Sequence, residues 1–178
     1  GDVGTIYCFQ LDIARQQYVC CGGNAAPTLT GIEGTPLSYV ENQPATAITA
    51  TLAVSDDGNV TNATVSITSG FASGEDVLAM NPNPQNGISA VYSANLLTLT
   101  GTANAASYQD ALRSVTYANG SENPSSTPRT ITFTVNDAGG LASGTQSRNI
   151  SVAPANDPPS FLKGPDQSAL PCAGVQTV

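Results

Sequence analysis

The sequence predicts an all-β fold, an antiparallel β-sandwich with one short helix. Apolar and hydroxyl-bearing residues alternate over several short runs, which is typical of strands with one buried and one exposed face. Gly and Pro residues separate these runs at the spacing of sandwich strands. A single run, 106–115, has its apolar residues at helical spacing instead.

Five runs show the two-residue period most clearly, and each predicts a strand. In every run the aliphatic or Phe side chains share the face expected to lie in the core. In the first run, 46–54, Thr49 and Thr51 are expected to face solvent. The residues expected to face the core are Ile48, Ala50, Leu52 and Val54 in this run, Val65 and Ile67 in the second, Leu97 and Leu99 in the third, Ile131, Phe133 and Val135 in the fourth, and Ile150 and Val152 in the fifth.

The run "ASYQDALRSV" (106–115) predicts a helix of two or three turns. Its residues Tyr108, Ala111, Leu112 and Val115 are three or four positions apart, so they share one helical face. We expect this face to cover one end of the sheets, with the strand "SVTYA" following it.

The chain divides into three parts. Its 178 residues accommodate one domain with a core, together with extensions. Residues 1–24 form a Cys-rich N-terminal segment, and residues 25–157 hold the strand pattern of the sandwich. Residues 158–178 form a linker and a strand-like C-terminal tail, which begin within the Pro-rich "NDPP".

Charged residues are scarce and mostly acidic. Only 10% of the residues are charged, and the net charge is −8 with five basic residues and no His. So few cations cannot form the basic surface that nucleic acids require, and no apolar run is long enough to span a membrane. Without His, the chain cannot build a Ser–His or Cys–His catalytic pair. We therefore predict that the protein is not an enzyme.

The four cysteines predict disulfides rather than a metal site. Cys8, Cys20, Cys21 and Cys172 all lie outside the strand-patterned block, and the chain has no His and no C-x-x-C motif for zinc. A bond between the adjacent Cys20 and Cys21 would form a strained ring. We favour bonds from Cys8 to one of that pair and from Cys172 to the other, with free thiols as the alternative. Disulfides favour an extracellular location.

Several longer runs carry a resemblance to a known family. They are "YVENQPATAI", "GEDVL", "LTLTG", "YQDALRSVTYAN", "NPSSTPRTITFTV" and the closing "NDPP". Together they resemble a bacterial cadherin-like repeat of large surface proteins and adhesins, over about residues 27–159. The tail after "NDPP" is similar to the opening of another surface-protein repeat. The resemblance implies an antiparallel Greek-key β-sandwich of the cadherin- or immunoglobulin-like type at the cell surface.

The resemblance also implies calcium at the junctions between domains. Glu41 matches the Glu of the family's Glu-Asn-x-Pro element, and Asn156–Asp157 match the Asn–Asp of its linker. The linker departs from the family pattern at Pro154 and Pro158, and the family's Asp-Arg-Glu element is absent. The alternative is that these acids cap turns. The candidate calcium ligands are Glu41, Asp56, Asp57, Asp137, Asn156 and Asp157.

Four Asn-x-Ser/Thr sequons predict covalent glycans. We expect Asn62 and Asn149 on the outward faces of strands and Asn119 in a loop. Sugar on the abundant Ser and Thr hydroxyls is the alternative. The candidate glycosylation sites are Asn59, Asn62, Asn119 and Asn149.

These observations favour a structural role. We predict a subunit or repeat of an extracellular bacterial fibre, stalk or adhesin that joins neighbouring copies or repeats head to tail. The apolar positions of the tail, 160–178, predict that it donates a strand to a neighbouring sheet, and the alternative is that the tail holds the first strands of a further domain. The alternative is a carbohydrate- or ligand-binding module of a secreted enzyme, which would need an exposed aromatic strip.

Overall fold

A computed structural model describes the backbone of residues 9–12 and 17–20, all of residues 23–157, and Pro159, Phe161 and Gly164. The first two segments form an antiparallel hairpin, β1 (Phe9–Asp12) with β2 (Gln17–Cys20). The side chains of the four cysteines lie outside the described residues, so their pairing stays a prediction. The same holds for most of the tail and for its predicted strand donation.

The larger sheet has six strands and contains the longest strands of the molecule. All of its neighbouring strands are antiparallel except the first pair, which is parallel. This pair departs from the predicted all-antiparallel arrangement, because most of the domain's chain separates the two strands and no hairpin fixes their direction. In spatial order the strands are β4 (Leu37–Val40), β13 (Gln146–Ala153), β12 (Arg129–Asp137), β7 (Asn59–Ser69), β10 (Leu96–Asn104) and β9 (Ser89–Ser93).

The remaining elements supply the other side of the core. They comprise a three-stranded sheet, a two-stranded sheet and one helix, and all of their strand pairs are antiparallel. The described chain is thus mostly β, with several antiparallel sheets and one short helix, which is consistent with a β-sandwich. The elements are β5 (Thr46–Ala47), β11 (Val115–Asn119) and β8 (Asp76–Met80) in one sheet, β3 (Thr28–Thr30) and β6 (Ala53–Ser55) in the other, and the helix α1 (Ala105–Arg113).

The core follows the predicted alternation in four of the five runs. Each of their aliphatic or Phe residues that we expected to face inward is buried, so the period-two pattern correctly identifies the inner face of β7, β10, β12 and β13. The buried residues of these runs are Val65, Ile67, Leu97, Leu99, Ile131, Phe133, Val135, Ile150 and Val152.

The first run is not one strand, and this prediction is wrong. The chain leaves β5 after Ala47 and forms β6 only from Ala53, so residues 48–52 lie in a bend. Ile48, Leu52 and Val54 are buried as expected, but Thr49 is buried and Ala50 is exposed. The cause is Glu33, whose carboxylate accepts from the Thr49 hydroxyl at 2.7 Å and from the Ala50 N–H at 2.8 Å. These bonds replace strand pairing in the bend.

The helix forms where the sequence predicts it, beginning one residue earlier and ending two residues earlier. Asn104 caps its start, since the side chain of Asn104 accepts from the Ser107 N–H at 2.8 Å. Tyr108, Ala111 and Leu112 are buried as expected, and Val115 belongs to β11. The Tyr108 hydroxyl donates to the Gly101 carbonyl at 2.6 Å, so it ties the helix to the irregular end of β10.

The six-stranded sheet gives the sandwich two distinct ends. One, the Glu41 end, holds Glu41, whose N–H donates to the carbonyl of Ala153 at the close of β13. The other, the Asp137 end, holds Asp137 at the close of β12. The nine residues of β12 run between these ends, and a strand rises about 3.4 Å per residue, so the ends are about 27 Å apart or more. Residue 24 lies at the Asp137 end and residue 157 at the Glu41 end.

Candidate functional site

Three carboxylates converge at the Glu41 end. They belong to Glu41, Glu122 and Asp157, and one oxygen of each lies within 4.8 Å of the others. Glu41 follows β4, Glu122 lies in the loop between β11 and β12, and Asp157 lies four residues beyond β13. The cluster therefore joins three segments that are distant in sequence, including the segment by which the chain leaves the sandwich.

Glu41 is the buried member of the cluster. The residue is only 5% exposed, and its Oε2 accepts from the Ala155 N–H at 2.8 Å. Its Oε1 is buried and has no hydrogen-bond partner among the described residues. A buried carboxylate oxygen without a donor is costly, particularly beside two further acids, so this site favours a bound cation.

The three carboxylates are close enough together to share one calcium ion. Ca²⁺ binds oxygen at about 2.3–2.6 Å, so two ligands on opposite sides of the ion are about 4.6–5.2 Å apart. No pair of the three carboxylate atoms is separated by more than 4.8 Å. All three side chains offer the hard oxygen ligands that calcium prefers.

A buried polar network shapes the loop that carries Glu122. Asn119, the last residue of β11, donates from Nδ2 to Asp76 Oδ1 at 2.7 Å. Its own Oδ1 accepts from the Ser121 N–H at 3.0 Å, which turns the chain directly before Glu122. The backbone N–H of Asn119 donates to the Tyr39 hydroxyl at 3.2 Å. Tyr39 lies two residues before Glu41, so one network positions two sides of the cluster.

Asp76 is the centre of this network. Its Oδ1 accepts from the Tyr117 hydroxyl at 2.6 Å, and its Oδ2 accepts from the Ala72 N–H at 2.7 Å and from Arg129 Nε at 3.2 Å. The side chains of Asp76 and Arg129 are fully buried. Burial, together with the bond to Asp76 and its negative charge, raises the pKa of Tyr117 well above its usual value. Tyr117 therefore remains a hydrogen-bond donor at any physiological pH.

Arg129 extends the network to the preceding loop. Its Nη1 donates to the carbonyls of Ser125 at 2.5 Å and Thr127 at 2.6 Å. The runs "GEDVL", "YAN" and "TPRTITFTV" contain Asp76, Asn119 and Arg129 respectively. These three runs therefore have one physical function in common, which is to hold the loops of the Glu41 end in place.

Three of the predicted calcium ligands lie at the opposite end of the sandwich and do not belong to this cluster, so their role in calcium binding stays a prediction. Asp56, Asp57 and Asp137 lie at the Asp137 end. Asp57 accepts from the Ala25 N–H at 3.1 Å, and Asp56 accepts from the Gly58 N–H at 3.3 Å. These carboxylates cap the turn and the adjoining chain, which is the alternative role that the sequence allowed.

Asp137 anchors the chain where it enters the sandwich. Its Oδ2 accepts from Asn24 Nδ2 at 2.7 Å, and its Oδ1 accepts from the Leu141 N–H at 2.8 Å. Burial raises the pKa of Asp137, but the donors Leu141, Asn24, Gly139 and Gly140 outweigh it and lower the pKa overall. The donors of this carboxylate are thus supplied by the protein itself.

Of the remaining predicted ligands, Glu41 and Asp157 belong to the cluster. Asn156 is exposed, and its Nδ2 donates to the Asp157 carbonyl at 3.2 Å. Glu122 was not predicted. The available signal was an acid three residues after Asn119 in the loop "GSENPSS", but no local pattern indicates that this loop meets Glu41.

The four sequons occupy different environments. Asn59 and Asn149 are exposed, whereas Asn62 is half-buried and donates to the Leu99 carbonyl at 3.2 Å. Asn119 is only 6% exposed, ends β11, and uses its Nδ2 for Asp76. The predicted loop position of Asn119 is therefore wrong, since Asn119 ends a strand, whereas sugar at this residue stays a prediction. The predictions for Asn59, Asn62 and Asn149 are untested.

Among the described residues, no helix is both long enough and apolar enough to cross a lipid bilayer. Comparisons of the chain with protein-family models, with curated proteins and with solved structures found no match.

Proposed function

We propose that residues 25–157 form a structural unit of an extracellular bacterial fibre, stalk or adhesin, with the Greek-key topology of a cadherin-like repeat. The observation that supports this most is the placement of Asn24 and Asp157 at opposite ends of the sandwich. A unit that receives its chain at one end and releases it at the other adds its full length to a linear array. Neighbouring units then join head to tail.

In this proposal the carboxylate cluster holds Ca²⁺ through Glu41, Glu122 and Asp157. The ion supplies positive charge to the unpaired Glu41 Oε1 and offsets the repulsion among the three acids. It also connects the outgoing segment at Asp157 to the body of the sandwich. Occupancy therefore restrains the orientation of whatever follows residue 157. Ca²⁺ needs about six to eight oxygens, so waters or a following unit complete the set.

Calorimetry and thermal unfolding of the full chain, in Ca²⁺ and in EGTA, test this site. We expect Ca²⁺ to raise the melting temperature, with a dissociation constant of about 10⁻⁴–10⁻³ M, as for extracellular modules. Glu122→Gln should abolish most of the shift in melting temperature, because it removes one of the three carboxylates. Since Glu122 is exposed, the substitution should leave the fold intact. Asp110→Asn is the matched control, since it removes an equal charge from an exposed position on α1. No heat of binding, or an equal shift in Glu122→Gln, would refute the calcium site.

The distribution of aromatic residues favours this structural role over a carbohydrate-binding module. Sugar-binding surfaces generally present exposed aromatic rings. Among the aromatic side chains that the structure describes, Phe161 alone is exposed, at 86%. The buried ones are Tyr39, Tyr108, Tyr117 and Phe133, and the half-buried ones are Phe71 and Tyr92.

The edge strand β9 is the receptor that we propose for a donated tail. It closes one side of the six-stranded sheet, and its outward-facing Val91 is 69% exposed. Residues 160–178 of a neighbouring copy would add a strand there through main-chain hydrogen bonds. Deleting residues 160–178 and measuring mass by light scattering tests the idea. Unchanged assembly would refute it. The predicted disulfides and surface glycans belong to the same extracellular proposal.

A further inference from the structure

The chain contains two Asn–Gly dipeptides, Asn86–Gly87 and Asn119–Gly120, in opposite environments. The first forms the two-residue turn of a tight hairpin. The N–H of Gln85 donates to the Ile88 carbonyl at 2.9 Å, and the N–H of Ile88 donates back to Gln85 at 2.8 Å. Asn86 and Gly87 have φ values of 51° and 79°, as a type I′ turn requires.

The first dipeptide is chemically accessible. Asn86 and Gly87 are both exposed. Within residues 23–157, neither the Asn86 side chain nor the Gly87 N–H takes part in a hydrogen bond. Because Gly has no Cβ, its backbone nitrogen is unhindered and its backbone reaches strained conformations at little cost. The side-chain amide and the next backbone nitrogen can therefore meet.

The second dipeptide is held in place at both reacting groups. Asn119 Nδ2 donates to Asp76 Oδ1 at 2.7 Å, and the Gly120 N–H donates to the Glu75 carbonyl at 2.9 Å. The Asn119 side chain is 6% exposed. Reaction at this position requires the end of β11 to open first, which is a rare event for a paired strand.

We propose that Asn86 is a site of spontaneous deamidation, and that the fold protects Asn119 from the same reaction. The Gly87 nitrogen loses its proton to solvent base and attacks Asn86 Cγ. A new C–N bond forms, the Cγ–Nδ2 bond breaks, and ammonia leaves with a proton from water. The resulting succinimide is hydrolysed at either carbonyl, which gives aspartate or isoaspartate. Water is the only co-reactant, and no atom changes its oxidation state.

The product alters a closely packed turn. The Gly87 carbonyl oxygen lies so near Gly101 that a Cβ on Gly101 would approach it to 2.4 Å. Isoaspartate inserts one extra methylene into the backbone between positions 86 and 87, and so displaces this carbonyl. Ile88, which follows directly, is fully buried. Modification is thus expected to loosen the hairpin against β10, and either product adds one negative charge.

The test is an incubation of the full chain at 37 °C and mildly alkaline pH, with peptide mapping by mass spectrometry over time. One sample is native and one is in concentrated urea. In the native sample we expect Asn86 to convert at least about a hundredfold faster than Asn119, because Asn119 reacts only in rare open states. In urea the two positions should convert at similar rates, since each is an Asn–Gly pair in an unfolded chain.

The outcomes separate cleanly. Equal rates at the two positions in the native sample would overturn the proposed protection, and no conversion of Asn86 there would overturn the proposed site. Absence of conversion in urea would overturn the chemistry altogether. An Asn86→Gln variant supplies the control for assignment: its native sample should lose the charge-shifted species on an ion-exchange column. Persistence of that species in the variant would assign the modification to another residue and contradict the proposal.

Discussion

The two ends of the sandwich both contain acids, but they differ in how the carboxylates are arranged. At the Asp137 end, carboxylates accept from backbone N–H groups and from the Asn24 amide, and Asp56 Oδ1 is buried without a donor, but no group of three converging carboxylates forms there among the described residues. At the Glu41 end, three carboxylates converge and one buried oxygen lacks a donor among the described residues. The difference teaches that acidity alone does not identify a cation site. A cation site is identified by carboxylates that converge and that include a buried oxygen without a hydrogen-bond donor.

The ends also differ in what lies beneath them. Under the Glu41 end lies the buried pair Asp76–Arg129, with Tyr117 and Asn119 bonded to the same carboxylate. The contacts of the Asp137 end are local turn caps and the attachment of residues 24 and 25. Removing a side chain of the network under the Glu41 end should therefore affect several loops together. Removing a carboxylate at the Asp137 end should affect only the adjoining turn and chain.

The largest expected effect is that of Asp76→Ala. It leaves Arg129 buried without its counter-ion and removes the acceptor of Tyr117 and Asn119, so we expect a loss of about 3–5 kcal/mol in the free energy of unfolding. Urea denaturation measures it. The matched control is Glu75→Ala next to it, which should change stability by less than about 0.5 kcal/mol. Similar losses in the two variants would show that the network does not support this end.

Part of this architecture can be predicted from the sequence, because it depends on the pattern of neighbouring residues within one strand. Burial of alternate residues on β12 and β13 gives the sequence a hydrophobic period of two residues, which can be recognised without knowing the neighbouring strands. The buried pair also left a signal, since Asp76 and Arg129 each occupy an inward position at the start of a strand. This ion pair was not predicted, because the alternation shows that each residue is inward-facing but does not show which strands bring the two together.

The cluster at the Glu41 end was only half predictable, because it depends on long-range contacts. Glu41 and Asp157 were found through a resemblance, whereas Glu122 becomes a neighbour only after β11 and β12 pair with their own sheets. The predicted position of Asn119 was wrong for a related reason. Its "NGS" sequence resembles an exposed turn, but its side chain meets Asp76 from a strand far away in sequence.

A second prediction concerns the Tyr39 hydroxyl. It donates to the Gln43 carbonyl at 2.6 Å and accepts from the Asn119 N–H at 3.2 Å, so Tyr39→Phe leaves two backbone groups without a partner. The ring contact with Tyr117, at 5.0 Å between centroids, remains. We expect a loss of about 2 kcal/mol by urea denaturation. Tyr92→Phe removes one half-buried bond to the Asp76 carbonyl and should cost about half as much. A larger loss in Tyr92→Phe would contradict this ranking.

A third prediction concerns Glu33, which lies between the two ends. Burial raises its pKa, but the Ala50 N–H, the Thr49 hydroxyl and nearby Arg148 lower it more, to about 2 from an ordinary value of 4.5. Because the folded pKa is the lower one, this carboxylate stabilises the fold fully above about pH 4.5 and loses that effect as the pH falls toward 2. Relative to Glu33→Gln, the natural chain should be more stable by about 1 kcal/mol at neutral pH. Urea melts of both across this range measure the difference, and a constant difference would disprove the assignment.

The smallest and most local effect is expected from Asp137→Ala. This substitution tests whether the Asp137 end and the Glu41 end act independently. The substitution removes the acceptor of Asn24 and of the Leu141 N–H, so hydrogen exchange should accelerate at Leu141 and around residues 24 and 25. These contacts are about 27 Å or more from the carboxylate cluster, so Ca²⁺ affinity by calorimetry should equal that of the natural chain. Glu122→Gln should give the reverse pattern, with normal exchange at Leu141 and weakened binding. Loss of Ca²⁺ binding in Asp137→Ala would mean that the two ends do not act independently and that Asp137 contributes to the cation site after all.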